Sequence, residues 1–249
     1  MGQLGYAAML TWHDVTAGGD DEHEHWHSHE HIAERVGING FLRGRRFVSL
    51  SGTPKYLIVY DAESFETLTS DGYLRRLNNP TPWTRGGVAA MQNTNRTLCR
   101  VTGSFGTGIG SMLLSIRLSP APGKAEELSQ QLLGGVLPDL AQEPGFVGAA
   151  LLEGDEAASR TETEEKRLRN QPDDIADWVI LVDGYDAEAV KSLRDGVLSQ
   201  ARLEKHGAAP VQTVGIYNLV HAISEGDLVS PHQTASRSDG LWLPCRGLI

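Results

Sequence analysis

The chain has 249 residues, a formal net charge of −10, 40% hydrophobic and 22% charged residues, which fits one large soluble domain or two of about 100–150 residues. The excess of acid argues against nucleic acid or an anionic membrane as the main partner. No apolar run reaches the roughly 18 residues of a membrane span. Cys99 and Cys245 are too few and too far apart for a disulfide framework or a thiolate metal site. With no basic stretch leading into an apolar one at the N-terminus, a cytoplasmic protein is the expectation.

Taken in chain order, residues 6–14 (Tyr-Ala-Ala-Met-Leu-Thr-Trp-His-Asp) predict a strand, and 21–36 predict an amphipathic helix ending at Gly37. Strands follow at 40–50 and 55–61, then a helix at 63–77. A Pro-rich loop at 78–85 and a strand at 94–101 complete the set. That order is β-α-β-β-α-β, the split unit of the ferredoxin-like fold. The same order returns as a strand at 109–118, a helix at 123–141, strands at 146–153 and 177–184, a helix at 186–205 and a strand at 211–222. Gly145 of Pro144-Gly-Phe146 lies 105 residues after Gly40 of Asn39-Gly-Phe41, and Trp178 of the run 178–183 lies 122 after Tyr56 of the run 56–61. The difference of 17 residues is an insertion, assigned to the polar segment Ala157–Asp174 and expected to be a surface excursion. Gly103–Gly110 lacks a following helix, so it is read as an inter-repeat linker and not as a phosphate loop.

The expected architecture is therefore α+β: tandem ferredoxin-like repeats forming an intrachain α+β barrel. Residues 1–104 are the first repeat with the candidate site, 105–223 the second, and 224–249 an irregular tail whose Leu241-Trp-Leu243 could dock on a neighbouring surface. Each repeat has helices on one sheet face only, and packing the two bare faces together would cover them.

Five of nine histidines alternate from His23 to His31. On a helix only i,i+4 pairs such as His27 and His31 share a face. His31, near the helix C-terminus at the edge of the stripe Trp26, Ile32 and Val36, is the first candidate for proton transfer. Glu30 and Glu34 lie near it in sequence, but neighbours one apart do not face each other, so a more distant partner is expected to orient it. His23, His25 and His29 are expected in solvent, and His27 on a solvated face. A metal, if held, would use His27, His31 and His13, although the His-Glu-x-x-His pattern is missing. Arg45 and Arg46 alternate across their strand, so one faces the barrel interior, where its fork suits a carboxylate or enolate. Asn78, Trp83 and Arg85 of the Pro-rich loop are expected to wall a pocket of about 300–1,000 Å³. Tyr60, Trp12 and Trp26 would enclose an apolar substrate.

The segment 26–47, with Trp26, Glu30-His31, Arg35, Gly40-Phe41 and Arg45-Arg46, resembles the opening helix and second strand of the dimeric α+β-barrel superfamily, most closely its EthD-like branch and bacterial relatives of unknown activity. Residues 73–85 and 93–100 are also similar to those relatives. The likeness covers roughly 6–101 in motif and the second half in topology alone. It implies the fold and leaves the reaction open, because the superfamily holds cofactor-free monooxygenases, isomerases, decarboxylating cyclases and haem enzymes. The second half lacks a Glu30-His31 equivalent, so one cavity, in the N-terminal half, is expected. The reading is a small-molecule enzyme without an organic cofactor, using histidine acid–base chemistry on an aromatic or polyketide-like acid. Isomerase or lyase/decarboxylase chemistry is favoured over monooxygenation. His31, Glu30 and Arg46 would be catalytic, and Trp12, Trp26, Tyr60, Asn78, Trp83 and Arg85 would bind substrate. A non-catalytic small-molecule binding protein and a histidine-bound metal enzyme are the alternatives, and the state of a homodimer stays open.

Overall fold

Eight strands with alternating apolar faces close edge to edge into a barrel in this computed structural model, which describes residues 2–228. They are β1 (Ala7–Val15), β2 (Phe41–Ser51), β3 (Tyr56–Ala62), β4 (Met91–Gly106), β5 (Met112–Leu118), β6 (Phe146–Gly154), β7 (Trp178–Gly184) and β8 (Thr213–Ser224). The barrel order is β1-β3-β2-β8-β5-β7-β6-β4, with neighbours antiparallel. Each repeat contributes four adjacent strands, and the seams are β2–β8 and β4–β6. Closure leaves neither repeat with an unpaired edge.

The helices are α1 (Asp20–Trp26), α2 (Ile32–Val36), α3 (Asp71–Asn78), α4 (Pro82–Ala89), α5 (Ala125–Gln131), α6 (Leu137–Leu140), α7 (Glu156–Ser159), α8 (Glu164–Arg169), α9 (Ala187–Asp195), α10 (Gln200–Lys205) and α11 (Glu225–Leu228). The helix expected over 21–36 is interrupted by a π turn at His27–His31, closed by the Ile32 N–H donating to the His27 carbonyl. A second π turn, Leu132–Val136, lies 105 residues later between α5 and α6. The turn glycines repeat as well: Gly40 has φ 89° and Gly145 has φ 99°, a conformation only glycine adopts without strain. These matches strengthen the repeat inferred from sequence.

The barrel interior is the joint core of the two sheets: Leu10, Trp12, Phe47, Leu57 and Val59 meet Leu113, Leu152, Val179, Leu181 and Tyr217. The outer faces carry separate helix-covered cores, built on Ile32, Val36, Phe41 and Leu77 in one half and on Leu128, Leu132, Leu137 and Val190 in the other. At one end of the interior sits a charged layer. Arg45 Nη1 is 3.2 Å from Asp183 Oδ1, Arg45 Nη2 donates to Gln3 Oε1 at 2.9 Å, and Arg43 Nη2 is 2.6 Å from Asp61 Oδ2. Arg45 is thus the interior arginine of its pair, balanced by carboxylates.

Several local expectations are corrected. The 78–85 loop is largely helix, because Thr81 caps α4 by accepting from the Thr84 N–H and Pro82 fits its first turn. The helices expected at 63–77 and 186–205 are each broken, the first into a 3₁₀ turn (Phe65–Thr69) and α3, the second at Gly196 into α9 and α10. Residues 103–106 are not linker, since they extend β4 and pair with β6. The insertion is not a solvent excursion. It forms α7 and α8, and Ser159, Thr163, Glu165 and Arg169 are buried against the first repeat. Leu241-Trp-Leu243 lies outside the described residues. Among the described residues, no helix is long and apolar enough to cross a membrane.

Candidate active site

The cavity that gathers the histidines lies outside the barrel, between the outer face of β1 and β3 and a roof made by α1, the π turn, α4 and α8. It is not in the barrel interior, where the sequence reading sought it. Alternation along β1 explains this: Met9, Thr11 and His13 point to the roof while Leu10 and Trp12 point inward. The volume is about 40 Å³, well below the expected range and enough for roughly three waters.

His23, His27 and His31 converge there because of the π turn. In a straight α-helix, residues four apart drift by about 40° per step. The wider turn, closed by an i→i+5 bond, takes up part of that rotation and keeps three successive imidazoles on one side. His23 and His27, expected in solvent, are therefore buried, whereas His25 and His29 are exposed as expected. His13 meets His23 with the two Nε2 atoms 3.1 Å apart, so one ring donates to the other. His27 Nε2 lies 3.3 Å from Tyr60 Oη. His31 sits at the mouth with 12% of its side chain exposed; its ring centroid is 4.4 Å from that of Trp26, and its Nδ1 is 3.8 Å from Glu34 Oε2.

Burial is the dominant electrostatic effect. It lowers the pKa of His13, His27 and His31 well below the ordinary imidazole range, reinforced by His23 at His13, by His31 at His27 and by Arg35 at His31. His23 is lowered to about 4 by burial and then Arg46. All four rings are neutral at pH 7, and the Nδ1 atom of each is buried without a hydrogen-bond partner. Burial raises the Tyr60 phenol and the Glu34 carboxyl, the latter opposed by Arg35 and Arg76. At Arg35 the desolvation penalty is outweighed by Glu165, Tyr73 and Glu34, which raise its pKa and keep it charged.

The insertion of the second repeat closes the cavity of the first. Glu165 of α8 accepts from Arg35, and Arg169 Nε donates to Asp173 Oδ1 at 2.9 Å. The segment is stitched to β4, with the Arg96 N–H donating to Asp174 O at 3.1 Å and the Asp174 N–H to Thr94 O at 2.9 Å. On the far side of the Tyr73–Arg96 pair lies a second hollow of about 50 Å³ beneath α7.

Of the residues expected from sequence, His31, Tyr60 and Trp26 line the cavity, together with His13 and His27 of the metal alternative. The other expected residues do not. Trp12 belongs to the barrel core, because its neighbour His13 takes the outward position. Arg46 lies under α1, donating to the Glu24 carbonyl at 3.0 Å. Glu30 accepts from Thr81 at 2.6 Å and Thr84 at 2.9 Å, so it ties the π turn to α4 and leaves His31 to Glu34. Thr84 in turn accepts from the Trp26 indole at 3.2 Å. A Cβ at Gly87 would come within 2.4 Å of that indole, so glycine there lets α4 lie on the ring. Asn78 accepts from the Glu164 N–H, Arg85 pairs with Glu164, and Trp83 donates to Glu22; all three hold the roof from outside. His23, Arg35, Tyr73, Arg96, Glu165 and Arg169 are cavity residues the sequence reading did not select. Among the described residues, no group of three His, Cys, Asp or Glu side chains is set to hold a metal ion.

The architecture belongs to the ferredoxin-like α+β-barrel class, and solved structures share it along nearly the whole chain. An anthrone oxidase-like protein matches with a TM-score of 0.63 at 14% identity, covering 92% of this chain and 97% of that one. A candidate monooxygenase from Fusobacterium nucleatum matches with a TM-score of 0.58 at 8% identity, covering 90% and 96%. Another, from Lactobacillus acidophilus, matches at 0.57 and 8%, covering 89% and 97%. At these identities the likeness is one of fold. No protein-family model and no curated protein sequence matches the chain.

Proposed function

We propose that the chain is a small-molecule enzyme in which the His31 imidazole, with Glu34 3.8 Å from its Nδ1, removes a proton from an apolar, weakly acidic substrate admitted when α8 lifts, the closed cavity of about 40 Å³ being too small for a ring. One observation carries this reading. The second repeat fills the positions of His13, His23 and His27 with Leu118, Leu128 and Leu132 and folds in the same way. Burying a polar ring with an unpaired nitrogen costs stability, so the histidines of the first repeat serve something other than packing. A neutral imidazole at an apolar mouth accepts a proton, and the Glu34 carboxylate 3.8 Å behind it stabilises the charge that forms.

The names of the structural relatives, anthrone oxidase-like and candidate monooxygenase, favour an oxygenase-type outcome over isomerisation or decarboxylation. Oxygenation and isomerisation both begin with proton removal, because the electron-rich anion is the species that reacts onward, with dioxygen in the first case and with a proton at a second carbon in the other. The narrower kinship with the EthD-like branch rests on Glu30-His31 and Gly40-Phe41. Oxygen uptake by the native protein and His31→Ala, across a panel of anthrones and substituted naphthols, tests the assignment. Turnover falls about 10²–10⁴-fold in the variant with its melting temperature unchanged. A variant that keeps full turnover on a substrate used by the native protein rules His31 out.

A further inference from the structure

Charge in the roofed cavity does not balance at one position. Arg35 is neutralised by Glu165 and Glu34, and Arg169 by Asp173. Arg96, half-buried on β4, has no carboxylate within 4 Å among the described residues. Its Nη2 donates to Tyr73 Oη at 2.7 Å. The Tyr73 hydroxyl spends its own proton on the Met9 thioether, a weak acceptor. The pair forms the wall shared by the histidine cavity and the hollow beneath α7. A guanidinium and a hydroxyl, one without a counter-ion and the other bonded to a poor acceptor, thus stand between two spaces lined by Leu77, Leu98, Val88 and Ile58.

The fold does not require this arginine. Arg96 pairs with Thr11 across β1–β4, and the matching pair in the second repeat is Val214 with Ile116 across β8–β5. Val214 packs against the apolar core of its half. A cation placed where the other repeat uses a valine, in a space partly withdrawn from water, is stabilised by an anion that enters with an apolar body.

We propose that Arg96 and Tyr73 form the anion subsite of the substrate, a monocarboxylate on an apolar body that enters when the two hollows of about 40 and 50 Å³, which this pair separates, open into one. The carboxylate accepts from the Arg96 guanidinium and from the Tyr73 hydroxyl, which turns away from Met9. The carbon skeleton then points toward His27 and His31. This arrangement assigns the substrate anchor to Arg96 in place of Arg46 or Arg85, and it rests on the proposed function only in taking the cavity as the substrate site.

Titration calorimetry with benzoate and its neutral isostere benzamide tests it. The native protein binds benzoate about tenfold or more tightly than benzamide. Arg96→Gln loses that preference, as does Arg96→Val, which installs the residue of the second repeat and is expected to fold. Arg194→Gln, on the exposed surface of the other repeat, keeps it. Equal binding of the two probes, no saturable binding of either by the native protein, or an intact preference in folded Arg96→Val overturns the subsite. Because the readout is binding and not turnover, loss of the preference leaves His31 standing. A fully active His31→Ala likewise leaves this subsite standing.

Discussion

The two repeats are an internal control for each other. They share strand order, the π turn in the first helix and the turn glycine after it. They differ in what fills the space between sheet and helix. The second repeat packs Leu114, Ile116, Leu118, Leu128 and Leu132 there. The first places Met9, Thr11, His13, His23 and His27 at the same positions and keeps a hollow. The backbone device that aligns the side chains is therefore common to both, and chemistry was added or lost by substitution alone. A π turn by itself does not mark a functional site in this fold; the residues it presents do.

Erasing that difference gives the largest expected effect. His13→Leu, His23→Leu and His27→Leu combined convert the first cavity into a copy of the second. Turnover falls more than about 10²-fold while the melting temperature rises by roughly 3–10 °C, since unpaired buried nitrogens are replaced by packed methyls. A marked fall in melting temperature would show instead that the histidine pairs hold the fold together. Next comes the α8 part of the roof, which has no counterpart in the second repeat among the described residues. Glu165→Ala leaves Arg35 short of its main partner, costs about 3 kcal/mol and speeds amide exchange in α8. Unchanged exchange would mean that the insertion is pinned by its β4 contacts alone.

Acid offers a smaller perturbation with a definite sign. Folded-state pKa values of His13, His23, His27 and His31 lie below the ordinary imidazole value, so the unfolded chain binds more protons as pH falls through about 6.5. The stability concerned is fully present above that pH and is lost on acidification. For His23, whose value is about 4, the loss between pH 6.5 and 4 is on the order of 3 kcal/mol. Urea unfolding at pH 7 and pH 5 measures it, and the triple leucine variant shows a flatter dependence. The smallest effect belongs to the exposed histidines: His25→Ala and His29→Ala shift stability by no more than about 0.5 kcal/mol and leave turnover intact.

The same internal comparison explains what could be read from the amino-acid order. Element sequence and repeat offset follow from periodicity and from Gly40-Phe41 against Gly145-Phe146, and they suffice for the barrel. The 105-residue offset, carried along the whole first helix, sets His23, His27 and His31 against Leu128, Leu132 and Val136, and so flags all three. Read as a regular helix, the same segment puts His23 and His27 on a solvated face, and the π turn that buries them is not marked by periodicity. Which side of β1 looks inward was not legible, since Trp12 and His13 are both plausible core residues. Arg96 needed strand register, because its match with Val214 runs through β1 and β5 pairing. Glu165 and Arg169 lie in an insertion without a counterpart, and contact with the opposite half is a tertiary fact.

The charged layer at the barrel end has a consequence for ancestry and for dissection. Asp61 and Asp183 are repeat equivalents, yet the equivalent of Arg45 in the other half is Ala150, and Arg45 serves both acids. Two copies of the trailing segment brought together as a symmetric pair would confine two carboxylates with no guanidinium between them. The trailing segment, excised, is expected to pair with itself at neutral pH less readily than it closes on the leading half.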